Sequence, residues 1–353
     1  MDARIARAEI VLPAGPDLAA AIAFFSSRLG LRVEAISPAD APVAATLAGH
    51  GVRLRLEPGA AAPGLLRVAC EGVPPPAEVA PNGTRVEFVA ASRDVALPPL
   101  EPRFVVSRGG EGASWGTGRA GMRYRDLVPG RLGGRYIASH IAIPEGGPVP
   151  DYVHFHRVRF QAIFCRKGWV RVVYEDQGEE FTMEAGDCVL QPPGIRHRVL
   201  EASSGLEVVE IGCPAEHETL GDLDMALPNA RVDRARLFDG QRFVRHEAAK
   251  APWAPWRLPG FEARDIGIAA ATSGLADMRV VRAGAPGASA RWTHAQELQF
   301  AFVLAGTARL EVEGHGTHAL GADDSFVVPA GVAHGLSGAS AGFEFLEVSV
   351  RPQ

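Results

Sequence analysis

VHFHRVRFQAIFCRKG, residues 153–168, sets two histidines one residue apart, a glutamine five positions on and a glycine at the close. A β-strand points alternate side chains to opposite faces. His154 and His156 therefore face the same way, roughly 7 Å apart at the backbone, and can converge on one ion. Gln161 lies an odd number of positions from His156, so a straight strand would turn it away, and RVRF must hold a turn or bulge if all three are to meet. Further along, PPGIRH ends at His197, and its prolines and glycine demand a turn that can carry a third imidazole to the pair. Three neutral imidazoles suit first-row metals such as Fe(II), Zn, Ni or Mn.

The same pattern occurs twice. FQAIFCRKGWVRV (160–172) is echoed by LQFAFVLAGTARL (298–310), GDCVLQPPGIRH (186–197) by DDSFVVPAGVAH (323–334), and GLEVVEI (205–211) by GFEFLEV (342–348). A duplication of about 138 residues follows, with alternating apolar stretches and Gly/Pro turns that predict antiparallel strands in both copies. The second copy places Trp292 opposite His154, His294 opposite His156, Gln299 opposite Gln161 and His334 opposite His197. The residues expected as metal ligands are thus His154, His156, Gln161 and His197, with His294, Gln299 and His334 as a weaker set because an indole fills one ligand position. Cys165 and Tyr174 are special to the first copy, opposite Val303 and Val312, and are expected with Trp292 as pocket-lining residues. An inert buried thiol is the alternative for Cys165. Glu207 and Glu210 recur as Glu344 and Glu347 and are read as scaffold.

The first motif (Gly147, His154, His156, Gln161, Gly168) and the second (Gly186, Asp187, Pro192, Gly194, His197) resemble those of the cupin superfamily. The resemblance implies jelly-roll β-barrels, with His154, His156 and His197 as ligands of a catalytic metal. Its usual fourth ligand is a glutamate, so Gln161 is a departure: either a neutral ligand through its amide oxygen or a hydrogen-bond partner behind the ligands. The fold expected is mainly β, two cupin barrels preceded by a small α+β unit. That unit, residues 1–108, runs strand, helix, then strands, with Leu18, Ala21, Ile22, Phe25 and Leu29 on one helical face. It is similar to a module of the vicinal oxygen chelate, or glyoxalase-like, superfamily, which would place metal candidates at Glu9 and His50. Packing or homodimerisation is its expected role. The first barrel is expected over 119–214, an irregular linker with one helical turn over 215–260, and the second barrel over 261–353.

Among 353 residues the formal net charge is −5 and no Lys/Arg run occurs, which excludes a basic surface for nucleic acid or an anionic membrane. No apolar run suits a membrane helix or a signal peptide, and the four scattered cysteines fit free thiols in a reducing cytoplasm. The expected partner is a small molecule. The resemblance implies a metal-dependent enzyme, foremost an Fe(II) dioxygenase acting on an oxygen-chelating organic substrate. A redox-neutral lyase, isomerase or cyclase using Zn, Ni or Mn is the alternative, and a sensory binding protein a third.

Overall fold

The computed structural model describes residues 4–352 except 16, 30, 50–51, 60–64, 72, 80–84, 91–94, 111, 119–120 and 286. The protein is mainly β, and each sequence copy folds as a two-sheet jelly-roll sandwich. In the first, strands Phe181–Glu184, Trp169–Tyr174, His197–Ala202 and His154–His156 form one wall; Cys188–Leu190, Phe160–Lys167, Leu206–Cys213, Ile137–Ile143 and Arg123–Asp126 form the other. The second copy repeats both walls, with Ala290–Trp292 and Leu298–Ala305 in the places of His154–His156 and Phe160–Lys167. Gly168 makes the turn between Phe160–Lys167 and Trp169–Tyr174 at φ 75°, and a Cβ there would fall 2.3 Å from Ser203 Oγ. Only glycine fits that combination of left-handed backbone and close approach.

The strands FQAIFCRK and LQFAFVLA read as nearly continuous apolar runs because both of their faces are buried. Phe160, Ala162 and Phe164 pack with Leu298, Phe300 and Phe302 in one core shared between the barrels, whereas Cys165 on the opposite face packs inside its own barrel. Each fully buried phenyl contributes about 1.5–3 kcal/mol by removal from water, so the two barrels stabilise each other as one body. Reciprocal strand exchange adds to this. Val105–Ser107, which precedes the first barrel, pairs with Ser325–Val327 of the second, and Val244–His246, which precedes the second, pairs with Cys188–Leu190 of the first.

The exchange changes how two stretches are read. Residues 105–107 fall within the expected amino-terminal unit but lie in the second barrel's sheet. The expected linker, 215–260, has its helical turn at Ala248–Lys250, yet it also supplies Thr219–Gly221 and Val244–His246 to the sheets of the first barrel. Of its short strands, Val244–His246 adds at a sheet edge, where it needs satisfy only one neighbour, whereas Thr219–Gly221 is paired on both sides.

The amino-terminal unit is small and β-rich. Helix Leu18–Leu29 opens where Asp17 Oδ1 accepts the Ala20 N–H at 2.9 Å, and it lays Leu18, Ala21, Ile22 and Phe25 against Leu31, Leu47, Leu54 and Leu56. Strand Arg32–Ser37 pairs with Thr219–Gly221, which pairs in turn with His154–His156, so a single 13-stranded sheet runs from this unit into the first barrel. Among the described residues, no helix is long and apolar enough to cross a membrane.

Ion pairs lock the barrels at their shared face. Arg166 bridges Glu207 of the first barrel at 3.2 Å and Asp323 of the second at 2.6 Å, and His140 Nε2 lies 2.9 Å from Glu207. The hydrogen bond with His140, followed by the charge of Arg166, holds the Glu207 carboxyl down at about 2. A carboxylate with a lowered folded-state pKa stabilises above its unfolded value, about 4.3, and that contribution disappears as pH falls through the folded value. Thermal melts should therefore show wild type losing stability between about pH 4.5 and pH 2, with Glu207→Gln less stable at neutral pH and flatter over that window. Superimposable acid limbs for the two proteins would contradict this role for Glu207.

Candidate metal centre

Cross-strand register assembles the site. His197 pairs with His154 on one side and with Tyr174 on the other, so the three rings form a row across three strands. The His154 and His197 ring centroids are 4.3 Å apart, His156 lies 5.3 Å from each, and Tyr174 stacks on His197 at 5.5 Å. One ligand nitrogen from each of His154, His156 and His197 lies within 4.8 Å of the others, and all three residues are buried. The turn at Pro192–Ile195 places His197, and the Gly194 N–H donates to His156 O at 3.0 Å, tying the two motifs together through their backbones.

A carbonyl oxygen can only accept, which settles the tautomers. Nδ1 of His154 donates to Tyr152 O at 2.7 Å, Nδ1 of His156 to Glu218 O at 3.3 Å and Nδ1 of His197 to Ile195 O at 3.1 Å. In the neutral form of each ring Nε2 is therefore the nitrogen that carries the lone pair. Buried Asp151 stands 3.4 Å from His154 Nδ1 and reinforces that proton's position.

Gln161 sits on a different wall from the histidines. Residues 157–159 carry the chain from one sheet to the other, so Gln161 faces the cavity without the bulge that a single strand would have needed. Its amide Nε2 donates to Glu210 at 2.7 Å, and its Oε1 accepts from Gln191 Nε2 at 3.3 Å. Gln191 also donates to His197 Nε2 at 3.1 Å and accepts from the Tyr174 hydroxyl at 2.8 Å. A chain of hydrogen bonds thus runs from Tyr174 through Gln191 and Gln161 to Glu210, and burial pushes the Tyr174 hydroxyl's pKa upward.

Gln191, Glu210 and His217 also line this cavity, and none was among the residues expected there. Gln191 stands opposite Val328 in the duplication, so, like Tyr174, it could have been found as a difference between copies. His217, whose ring lies 5.2 Å from that of His156, follows the end of the repeat and has no counterpart to compare. Glu210 was hidden by its match to Glu347. Cys165 faces the barrel interior but is sealed into its apolar core, where burial raises the thiol pKa to about 12, and it does not line the cavity.

In the second barrel an indole stands in the equivalent row. Its row is Val312, His334 and Trp292, with the indole 4.5 Å from the His334 ring. His294 has both nitrogens engaged: Nε2 donates to Val328 O at 2.9 Å and Nδ1 accepts the Gln296 N–H at 3.1 Å. Burial lowers the His334 pKa to about 4. Gln299 donates to Glu347 at 2.7 Å, repeating the Gln161–Glu210 pair, but Glu347 here also receives both guanidinium nitrogens of Arg257, at 2.8 and 2.6 Å. Arg257 lies 4.0 Å over Trp256, so a cation is built into the chain.

Among the described residues, one other group of metal-ligating type gathers, His140, Glu207 and Asp323. Arg166 and Lys167 already neutralise its acids, which makes it part of the ion-pair network between barrels. In the amino-terminal unit Glu9 pairs with Arg53 at 3.6 Å and joins no such group, and His50 lies outside the described residues.

The cupin-domain family model matches residues 139–211 and 279–349, once in each barrel. Among solved structures, protein Ylba from E. coli aligns with a TM-score of 0.51 at 14% identity, over 73% of this chain and 94% of that one. Oxalate decarboxylase from Bacillus subtilis, a protein with Mn(II) centres, aligns with a TM-score of 0.51 at 15% identity, over 69% and 76% of the two chains. At such identities the likeness is one of fold. A comparison with curated proteins gives no match.

The contrast between the barrels generates a test of the buried charges. Arg257→Met leaves the Glu347 carboxylate desolvated without its cation and should cost about 1–3 kcal/mol in denaturant unfolding. Adding Glu347→Gln should restore most of that loss; a double variant no more stable than Arg257→Met would show that Arg257 acts by packing alone.

Proposed function

We propose that this chain is a metal-dependent cupin enzyme with one working site, in which His154, His156 and His197 hold a divalent ion through Nε2. The observation that carries this reading is the convergence of three buried imidazoles whose Nδ1 atoms each hydrogen-bond a backbone carbonyl, so that Nε2 is the ligand atom each ring offers when neutral. Such a donor set suits a first-row divalent cation. Gln161, with its amide N–H committed to Glu210, has only its oxygen to offer an ion, and otherwise it positions Glu210.

Fe(II) is the favoured metal and an oxygenase the favoured activity. Neutral imidazoles leave a bound divalent ion's full charge for an anionic chelating substrate, and the ion supplies Lewis acidity and, as Fe(II), access to dioxygen. Around it, Tyr174 and Gln191 would hold Gln161 in place, with Gln191 releasing the single Nε2 lone pair of His197 to the ion, and the apolar barrel excludes bulk water. The alternative, a redox-neutral lyase, isomerase or cyclase using Zn, Ni or Mn, draws support from Glu210. This carboxylate lines the cavity outside the histidine cluster, where it can take a proton from a bound substrate. For the amino-terminal unit we propose a packing role, since its sheet continues into the strand that bears His154 and His156.

Oxygen uptake measured with Fe(II)-reconstituted protein against a panel of diketones, enols and hydroxyaromatics separates the two readings. Turnover should consume dioxygen and fall at least about 100-fold in His156→Ala, the loss expected when a metal ligand is removed. Equal turnover without oxygen by the Zn or Mn form would overturn the oxygenase assignment in favour of the redox-neutral one.

A further inference from the structure

The cavity that contains the histidine cluster is chemically two-sided. At one end stand His154, His156, His197, Gln161, Gln191 and Glu210. The remainder is walled by side chains such as Ile141, Val170, Val172, Met183, Leu206 and Val208, which belong to the barrel's apolar core yet still face the open space. Among the described residues that line it, the carboxylates are Asp40 and Glu210, and there is no lysine or arginine. Asp40 is contributed by the amino-terminal unit at the mouth, where it is ion-paired with Arg131.

This distribution of charge restricts the ligand. A dianion whose two carboxylates are too far apart to share one ion, such as glutarate, would place one carboxylate near the cluster and the other against hydrocarbon or beside Glu210, with no cation to meet it. Burying an uncompensated carboxylate is prohibitive, so such ligands are selected against. An apolar group, by contrast, gains by displacing water from those same walls. The accessible space, about 120 Å³ in a cavity partly open to solvent, is of the order of apolar protein cavities known to accept a single benzene ring.

The geometry points to a substrate with an oxygen-chelating head of at most one negative charge and a compact apolar body, about one ring in size, seated in the barrel interior. This inference rests on the proposed metal site for the head but not for the body. It assigns substrate selection to the core side chains Val172 and Ile163, in addition to the residues around the ion.

Two binding measurements test it. Calorimetric titration of Zn(II)-loaded protein with acetylacetone, 1-phenyl-1,3-butanedione and glutarate should give roughly ten- to hundred-fold tighter binding when phenyl replaces methyl, the gain expected for burying a ring, with glutarate the weakest. Val172→Phe and Ile163→Phe, each checked for a cooperative melt, should remove most of the phenyl gain. Glutarate binding as tightly as the phenyl diketone, or no gain from the ring, overturns the inference. The second measurement needs no metal: toluene should raise the melting temperature of metal-free wild type and do so less in either phenylalanine variant. If the protein retains no zinc and binds no chelator, the metal reading fails, and the toluene arm still decides the apolar body, a shift supporting it and no shift overturning it.

Discussion

Three hydrogen bonds from imidazole Nδ1–H groups to the backbone carbonyls of Tyr152, Glu218 and Ile195 fix the rings on which the site depends. Each acceptor is main chain, so ring orientation is set by the fold and not by mobile side chains. The carbonyl of Ile195 is placed by the Pro-Pro-Gly turn, and that of Glu218 by the strand joining the amino-terminal sheet to the barrel. The local turn, the sheet register and the placement of a whole domain therefore meet at one cluster of nitrogens. Second-layer bonds of this kind raise a histidine's strength as a ligand and fix its tautomer, so much of the site's chemistry resides in backbone geometry.

The two barrels differ in side chains at the same place on one scaffold. Both keep the glutamine–glutamate pair, Gln161–Glu210 and Gln299–Glu347, at 2.7 Å. In the second barrel Arg257 supplies a permanent positive charge, and Trp292 occupies the position of His154. In the first, Glu210 has no such arginine among its described contacts, and the space stays open. A buried carboxylate is costly without a cation, which gives one physical account of why the second barrel acquired an arginine while the first keeps a cluster suited to an ion.

Much of this was legible in the sequence because it follows from periodicity. The HxH pair, the duplication and the turn before His197 are local patterns, and they place three rings correctly once strands alternate. Gln161 can meet the histidines only if RVRF breaks the strand, and the chain turns there from one sheet to the other, although periodicity alone does not distinguish such a crossing from a bulge. Glu210 was concealed by its recurrence as Glu347, since a shared residue reads as scaffold even when its partners differ. His217 and the exchanged strands lie outside the repeat. Strand pairing across more than 200 residues, as between Val105–Ser107 and Ser325–Val327, is set by tertiary packing that a local pattern cannot encode.

The central claim is a single metal-binding cluster in a chain with two similar barrels. Metal content per chain, measured by plasma mass spectrometry on protein purified without chelator and reconstituted with one divalent metal at a time, tests it most directly. This account predicts one equivalent, lost in His156→Ala and kept in His294→Ala. Two equivalents, or a site lost equally in both variants, would contradict it.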